Sequence, residues 1–112
     1  MVQQTRASLD AVFGALADPT RRAIVARLAE GDASVSQLSA PFDMSLPAVA
    51  KHLRVLSDAG LVEQRKEGRT RWCRLAPLPL RDVQDWVGDY SRFWEGQLDS
   101  LAAHVHGPAG DD

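Results

Sequence analysis

Cysteine is nearly absent from this 112-residue chain, which carries a single thiol at Cys73. One Cys excludes an internal disulfide framework and a thiolate metal cluster within the chain, and it suits a reducing compartment. Long hydrophobic runs are missing too: no apolar stretch approaches the ~20 residues needed to cross a bilayer. The opening "MVQQTRASLD" has no apolar segment of about 7–15 residues, so no secretory signal is expected there. There is no glycine-rich phosphate loop. His52, His104 and His106 have no neighbouring Ser, Cys or carboxylate set that reads as nucleophile and base. These absences point away from an enzyme, a bound cofactor or a membrane partner, and towards a cytoplasmic protein. There is no internal repeat either. A hydrophobic content of 45% suffices for the core of one ordinary domain.

What the chain does have is an uneven distribution of charge beneath a net charge of −2. Residues 1–43 carry four Arg against five acids, and residues 76–112 carry two Arg against seven acids. Between them, residues 44–75 hold seven cations (Lys51, Arg54, Arg65, Lys66, Arg69, Arg71 and Arg74) against Asp58, Glu63 and Glu67. A basic middle flanked by acidic ends suggests one polyanion-facing surface. The plain alternative is solvated surface charge.

Hydrophobic spacing sets the elements. Leu9, Val12, Phe13 and Leu16 recur at helical intervals and predict a helix over about 8–17. A second helix takes Asp18 as cap and Pro19 in its first turn, turns Ile24 and Leu28 inward, and stops at Gly31. Arg21 and Arg22 near its start read as a solvated face. Ser34 and Gln37 have the spacing of a capping box, and Pro41 closes that short helix. In "SLPAVAKHLRVLSDAGLV", Ser45 caps a further helix that Gly60 ends. Val49, Leu53 and Leu56 share one of its faces, and Pro47, Lys51, Arg54 and Asp58 the opposite one. "LVEQRKEGRTRWCRLA" then reads as two short strands around a turn near Glu67–Gly68. Alternation places Arg71, Cys73 and Leu75 on one side and Thr70, Trp72 and Arg74 on the other. Cys73 reads as a small core hydrophobe.

The last periodicity is the strongest. Val83, Trp86, Val87, Tyr90, Phe93, Trp94, Leu98 and Leu101 fall on one stripe of a helix expected over 79–105. A helix of ~25 residues is about 37 Å long, more than a core of this size covers. The surplus apolar face is expected to meet a second copy of the chain, since two-fold homodimers are the commonest soluble oligomers. Such an aromatic seam also leaves room for a small apolar effector. Gly88 and Gly96 find no role in this reading. A single domain is expected over 1–106, followed by a disordered tail at 107–112.

Two short helices joined by a tight turn, the second presenting cations outward, match a helix-turn-helix over about 34–60. That motif lays its second helix in the major groove of DNA. The Lys- and Arg-rich hairpin at 61–76 suits a wing that follows the phosphate backbone or enters the minor groove. "ALADPTRRAIVARLAEG" followed by "SLPAVAKHLRVLSDAGLVEQRKEGRTRWCRL" resembles the ArsR-type winged helix-turn-helix regulators, from about Phe13 to Leu75. The resemblance implies a mainly α fold with a small β-hairpin (α+β), of five helices and a two-stranded wing. It also implies a homodimer that binds a palindromic operator on double-stranded DNA and represses transcription. By motif position, Ser45, Leu46, Pro47, Ala48, Ala50, Lys51, His52 and Arg54 fall on the recognition helix, and Arg65, Lys66, Arg69 and Arg71 on the wing. The implied dimer interface takes Leu9 and Phe13 from the first helix, together with the stripe from Val83 to Leu101.

The chain departs from that family in two ways. Position 46, often Gln, is Leu46, and position 50, often Ser or Thr, is Ala50, so hydrogen-bonding groups are lost from the reading surface. Contact with a thymine methyl, or a reading of DNA shape, would replace them. The family's thiol metal site falls on "SQLSAPF", which has no Cys, and His104 and His106 lie roughly 200° apart on a helix. No metal site of the family's usual kinds is therefore expected, and the sequence identifies no small-molecule effector. Packing and DNA contact both remain open for His52. A different class of function also stays open: a winged-helix module that recruits another protein through its aromatic last helix.

Overall fold

The computed structural model describes the backbone of residues 2–111 and the side chains of residues 9–105. The element order is α1 (Val2–Leu16), α2 (Pro19–Leu28), β1 (Ala33–Ser34), α3 (Val35–Ser39), α4 (Leu46–Asp58), β2 (Val62–Glu67), β3 (Thr70–Leu75), α5 (Pro77–Gly88) and α6 (Ser91–Asp111). The chain forms two compact units, residues 1–81 and 82–112. The expected disordered tail at 107–112 falls at the end of α6, where no side chain is described.

In the first unit the helix boundaries follow local chemistry. Asp18 Oδ2 accepts the Arg21 amide at 3.0 Å and caps α2. Ser34 Oγ accepts from the Gln37 amide at 3.1 Å while Gln37 Oε1 accepts from the Ser34 amide at 2.9 Å, the reciprocal capping box expected for α3. Gly60 adopts φ 79°, and the Gly60 and Leu61 amides donate to the carbonyls of Ser57 and Leu56, both at 2.9 Å. This Schellman closure needs a left-handed residue after the helix, which Gly supplies without strain. Gly68, at φ 62°, does the same in the hairpin turn.

The sheet runs in the order β1–β3–β2, antiparallel throughout. Strand β1, with Ala33 opposite Cys73, is absent from the sequence-based reading because two residues show no alternation. Ile24, Leu28, Leu38, Val49, Leu53, Leu56, Leu61, Val62 and Cys73 close the core between the helices and this sheet. Burial raises the Cys73 thiol above its ordinary pKa, as suits a packed side chain. Arg22 is exposed, as a solvated face requires, and Arg21 is half-buried; both bind the end of α1. Arg21 Nε donates to the Ala15 carbonyl and Arg22 Nη1 to the Leu16 carbonyl, both at 2.7 Å. Cations there satisfy carbonyls left without intrahelical partners.

The expected single last helix is two. The Tyr90 amide bonds to the Val87 carbonyl at 3.0 Å, a three-residue step that ends α5 before α6 begins at Ser91. Gly88, the last residue of α5, has its explanation here, since Gly weakens a helix interior by about 1 kcal/mol relative to Ala. Nothing in the structure explains Gly96. Among the described residues there are therefore six helices, where five were expected. In the second unit no residue from 82 to 105 is buried. Trp86 and Tyr90 meet edge to face with ring centroids 5.3 Å apart.

Candidate nucleic-acid interface

Helix α4 buries Val49, Leu53 and Leu56 and turns the rest of its surface outward. Ser45 Oγ is engaged as the cap, accepting the Ala48 amide at 3.3 Å. Leu46 is half exposed, at 52%, and Pro47, Ala50, Lys51 and Arg54 are exposed, whereas Ala48 is half-buried. His52 sits apart from them, half-buried against the start of α2. Arg21 Nη1 lies 3.3 Å from its Nδ1, and Asp18 Oδ2 lies 3.9 Å from the same atom. Asp18 is held below its usual carboxylate pKa of 3.8, first by the Arg21 amide and also by the Arg21 and His52 charges.

The register of the hairpin sorts the wing cations onto two faces. Val62 pairs with Leu75, Gln64 with Cys73 and Lys66 with Arg71, so these six share one face. At its base that face is core, and Gln64 Nε2 donates to Ser57 Oγ of α4 at 2.8 Å. At its tip the same face carries Lys66 and Arg71. Arg65, opposite Trp72, lies on the other face. There its Nε donates to Glu67 at 2.9 Å and its Nη1 to Asp32 at 3.3 Å. These two hydrogen bonds, Glu67 first, hold the Arg65 pKa above its ordinary value. Arg65 thus braces the wing to the loop before β1, whereas Lys51, Arg54, Lys66, Arg69 and Arg71 have no carboxylate partner among the described residues.

A groove of about 540 Å³ opens between helix and wing. Leu46, Pro47 and Ala50 line its helix side, Arg69 and Arg71 its wing side, and Ser34 its sheet end. The structure therefore brings five of the twelve expected recognition and wing residues, Leu46, Pro47, Ala50, Arg69 and Arg71, to one concavity, and sets His52 and Arg65 into protein-bound clusters. The role of Asp32 at this site leaves no sequence signal, because its contact with Arg65 spans more than thirty residues of chain.

The expected interface residues fare differently. Leu9 and Val83 are half-buried, while Phe13, Trp86, Val87, Tyr90, Phe93, Trp94, Leu98 and Leu101 are exposed. Within the second unit, Trp86, Val87, Tyr90, Phe93 and Trp94 surround a hollow of about 300 Å³. Among the described residues no group of three or more His, Cys, Asp or Glu is placed to hold a metal ion, and no helix is long and apolar enough to cross a membrane.

Comparison with known proteins adds to this geometry. A family model described as a helix-turn-helix domain matches residues 16–65. The chain is similar to HTH-type transcriptional regulator Rv2034 of Mycobacterium tuberculosis, with 42% identity over 108 residues, covering 96% of this chain and 97% of that protein. It is similar to transcriptional repressor SdpR of Bacillus subtilis, with 30% identity over 78% of this chain and 97% of that protein. Among solved structures, an ArsR family transcriptional regulator, RHA00566, superposes with a TM-score of 0.75 and 43% identity, covering 80% of this chain and 93% of that one. The homodimeric winged helix-turn-helix DNA-binding domain of Mb0332 from Mycobacterium bovis superposes with a TM-score of 0.61 and 26% identity, covering 82% and 84% respectively.

Proposed function

The chain belongs to the ArsR family of transcriptional regulators, and on that premise we propose that it is a homodimeric repressor that binds a palindromic operator. The observation that carries this reading is the set of five exposed cations on α4 and the wing, Arg69 and Arg71 of them lining the groove, with no carboxylate partner among the described residues. Exposed cations left without carboxylate partners suit the phosphates of a duplex, whose charge dominates affinity. Helix α4 enters the major groove, Lys51 and Arg54 fix its register, and Lys66, Arg69 and Arg71 follow the backbone. A second copy covers the apolar residues of α1, α5 and α6 and sets two α4 helices one DNA turn apart, roughly 34 Å. A homodimeric structural neighbour supports this assembly. Occupancy of the operator then blocks transcription. In this reading the protein is cytoplasmic, performs no chemistry, and is not released by zinc or copper at the family's usual sites.

Fluorescence anisotropy tests the proposal, using a labelled duplex from immediately upstream of the gene and a shuffled duplex as control. A preference of ~10³ or more, weakening as salt rises, is expected. Equal, weak binding to both duplexes overturns it. The exposed apolar face of α6 favours a second reading, a module that recruits a different protein. Stoichiometric capture of one heterologous partner together with absent DNA affinity distinguishes that case.

A further inference from the structure

Helix α4 meets the groove with an apolar first turn and a cationic second one. Leu46 and Pro47 open the helix, Ala50 follows one turn later, and only then come Lys51 and Arg54. All five are exposed, so none of the three apolar side chains serves the core. The first turn of a recognition helix is the part that reaches base edges. Here it has almost nothing polar to offer. Pro47 has no amide hydrogen, the Ala48 amide is taken by Ser45 Oγ at 3.3 Å, and Leu46, Pro47 and Ala50 carry no side-chain donor or acceptor. The polar groups of the groove stand off α4: Arg69, Thr70 and Arg71 on the wing side, and Ser34 and Ser36 at the β1–α3 end.

Set against the major groove, this surface has one complementary feature to meet. Guanine, adenine and cytosine present hydrogen-bonding edges there, and a Leu or Ala placed on them strips water from groups it cannot satisfy. Thymine alone adds an apolar group, its C5 methyl. Resting on the DNA-binding reading above, we infer that the exposed apolar start of α4 selects thymine through that methyl, with Leu46 in the first turn and Ala50 one turn later as the specificity-determining residues. Lys51 and Arg54 supply sequence-independent affinity. Thymine is then required where Leu46 and Ala50 touch the duplex, and hydrogen-bond readout falls to other positions or to DNA shape.

The test begins by enriching a duplex from a random pool on the full-length protein. Each thymine of that duplex is then replaced singly by deoxyuridine, which deletes the C5 methyl and leaves the pairing intact. At the positions under Leu46 and Ala50, affinity should fall by about four-fold, the size expected for one buried carbon. A 5-methylcytosine·guanine pair there should bind more tightly than cytosine·guanine. Leu46→Ala, at a half-exposed site where the fold survives, should weaken binding to the thymine duplex and erase the deoxyuridine effect at one position per half-site. Deoxyuridine tolerated within two-fold everywhere, or an effect unchanged in Leu46→Ala, overturns the inference. A pool that enriches no sequence overturns instead the DNA-binding reading beneath it.

Discussion

Residues 1–81 and residues 82–105 place their hydrophobic side chains in opposite ways. The first unit draws Ile24, Leu38, Leu53, Leu56 and Leu61 fully inside and leaves its cations at the surface. The second buries no residue and exposes Trp86, Tyr90, Phe93, Trp94, Leu98 and Leu101. Both are amphipathic by the same spacing rules, yet among the described residues only the first buries its stripe. The difference teaches that a hydrophobic stripe announces burial without saying what buries it. For the first unit the answer is intramolecular, and for the second the account gives it to another copy.

The largest effect expected from breaking this contrast is on the closed side. Leu53 is 1% exposed, so Leu53→Ala should cost 2–5 kcal/mol in urea unfolding at any protein concentration, with a range set by how far the cavity relaxes. Leu98, at 56% exposed, fills no core within its chain. Leu98→Asp should therefore leave the first unit folded by circular dichroism, yet shift sedimentation from dimer to monomer. DNA affinity should fall with it by on the order of 100-fold, as bivalent engagement of two half-sites is lost. An unchanged sedimentation coefficient would place the dimer contact elsewhere.

The wing offers a finer comparison. Arg71 has no carboxylate partner among the described residues, whereas Arg65 is bound to Glu67 and Asp32. Arg71→Ala should lower affinity for every duplex alike and reduce the salt slope by about 1. Arg65→Ala should change that slope less, because its charge is already compensated within the protein. Equal slopes in the two variants would reject the sorting of wing faces. The smallest effect concerns Asp18. Its carboxyl titrates below the usual 3.8, so the charged form stabilises the fold above that value, and the contribution fades as pH falls through the lowered one. Asp18→Asn keeps a capping side chain without the charge. Thermal melts should show the variant losing stability less steeply than the parent as pH drops below 3.8.

How much of this was legible in the sequence follows from the range of each interaction. The Asp18–Pro19 start, the Ser34–Gln37 box and the Gly60 stop are set by residues three or four apart, and each sits where the sequence places it. The basic hairpin and its turn are equally local. Contacts between distant segments left no trace: Arg21 on the Ala15 carbonyl read as solvated charge, Arg65 on Asp32 as a DNA contact, and β1 as nothing. The break at Gly88–Tyr90 was hidden for another reason. Trp86, Tyr90 and Phe93 keep helical spacing across it, so the stripe looks continuous where the hydrogen-bond ladder is not.

One measurement tests this most directly: native mass spectrometry of the 112-residue chain, 12.2 kDa, mixed with the enriched duplex at less than one chain per site. The account predicts free duplex together with duplex carrying two chains, and little with one, because the open second unit must close on its copy before the groove of each protomer can engage a half-site. A dominant complex of one chain per duplex, or no complex beside a monomeric protein, would contradict it.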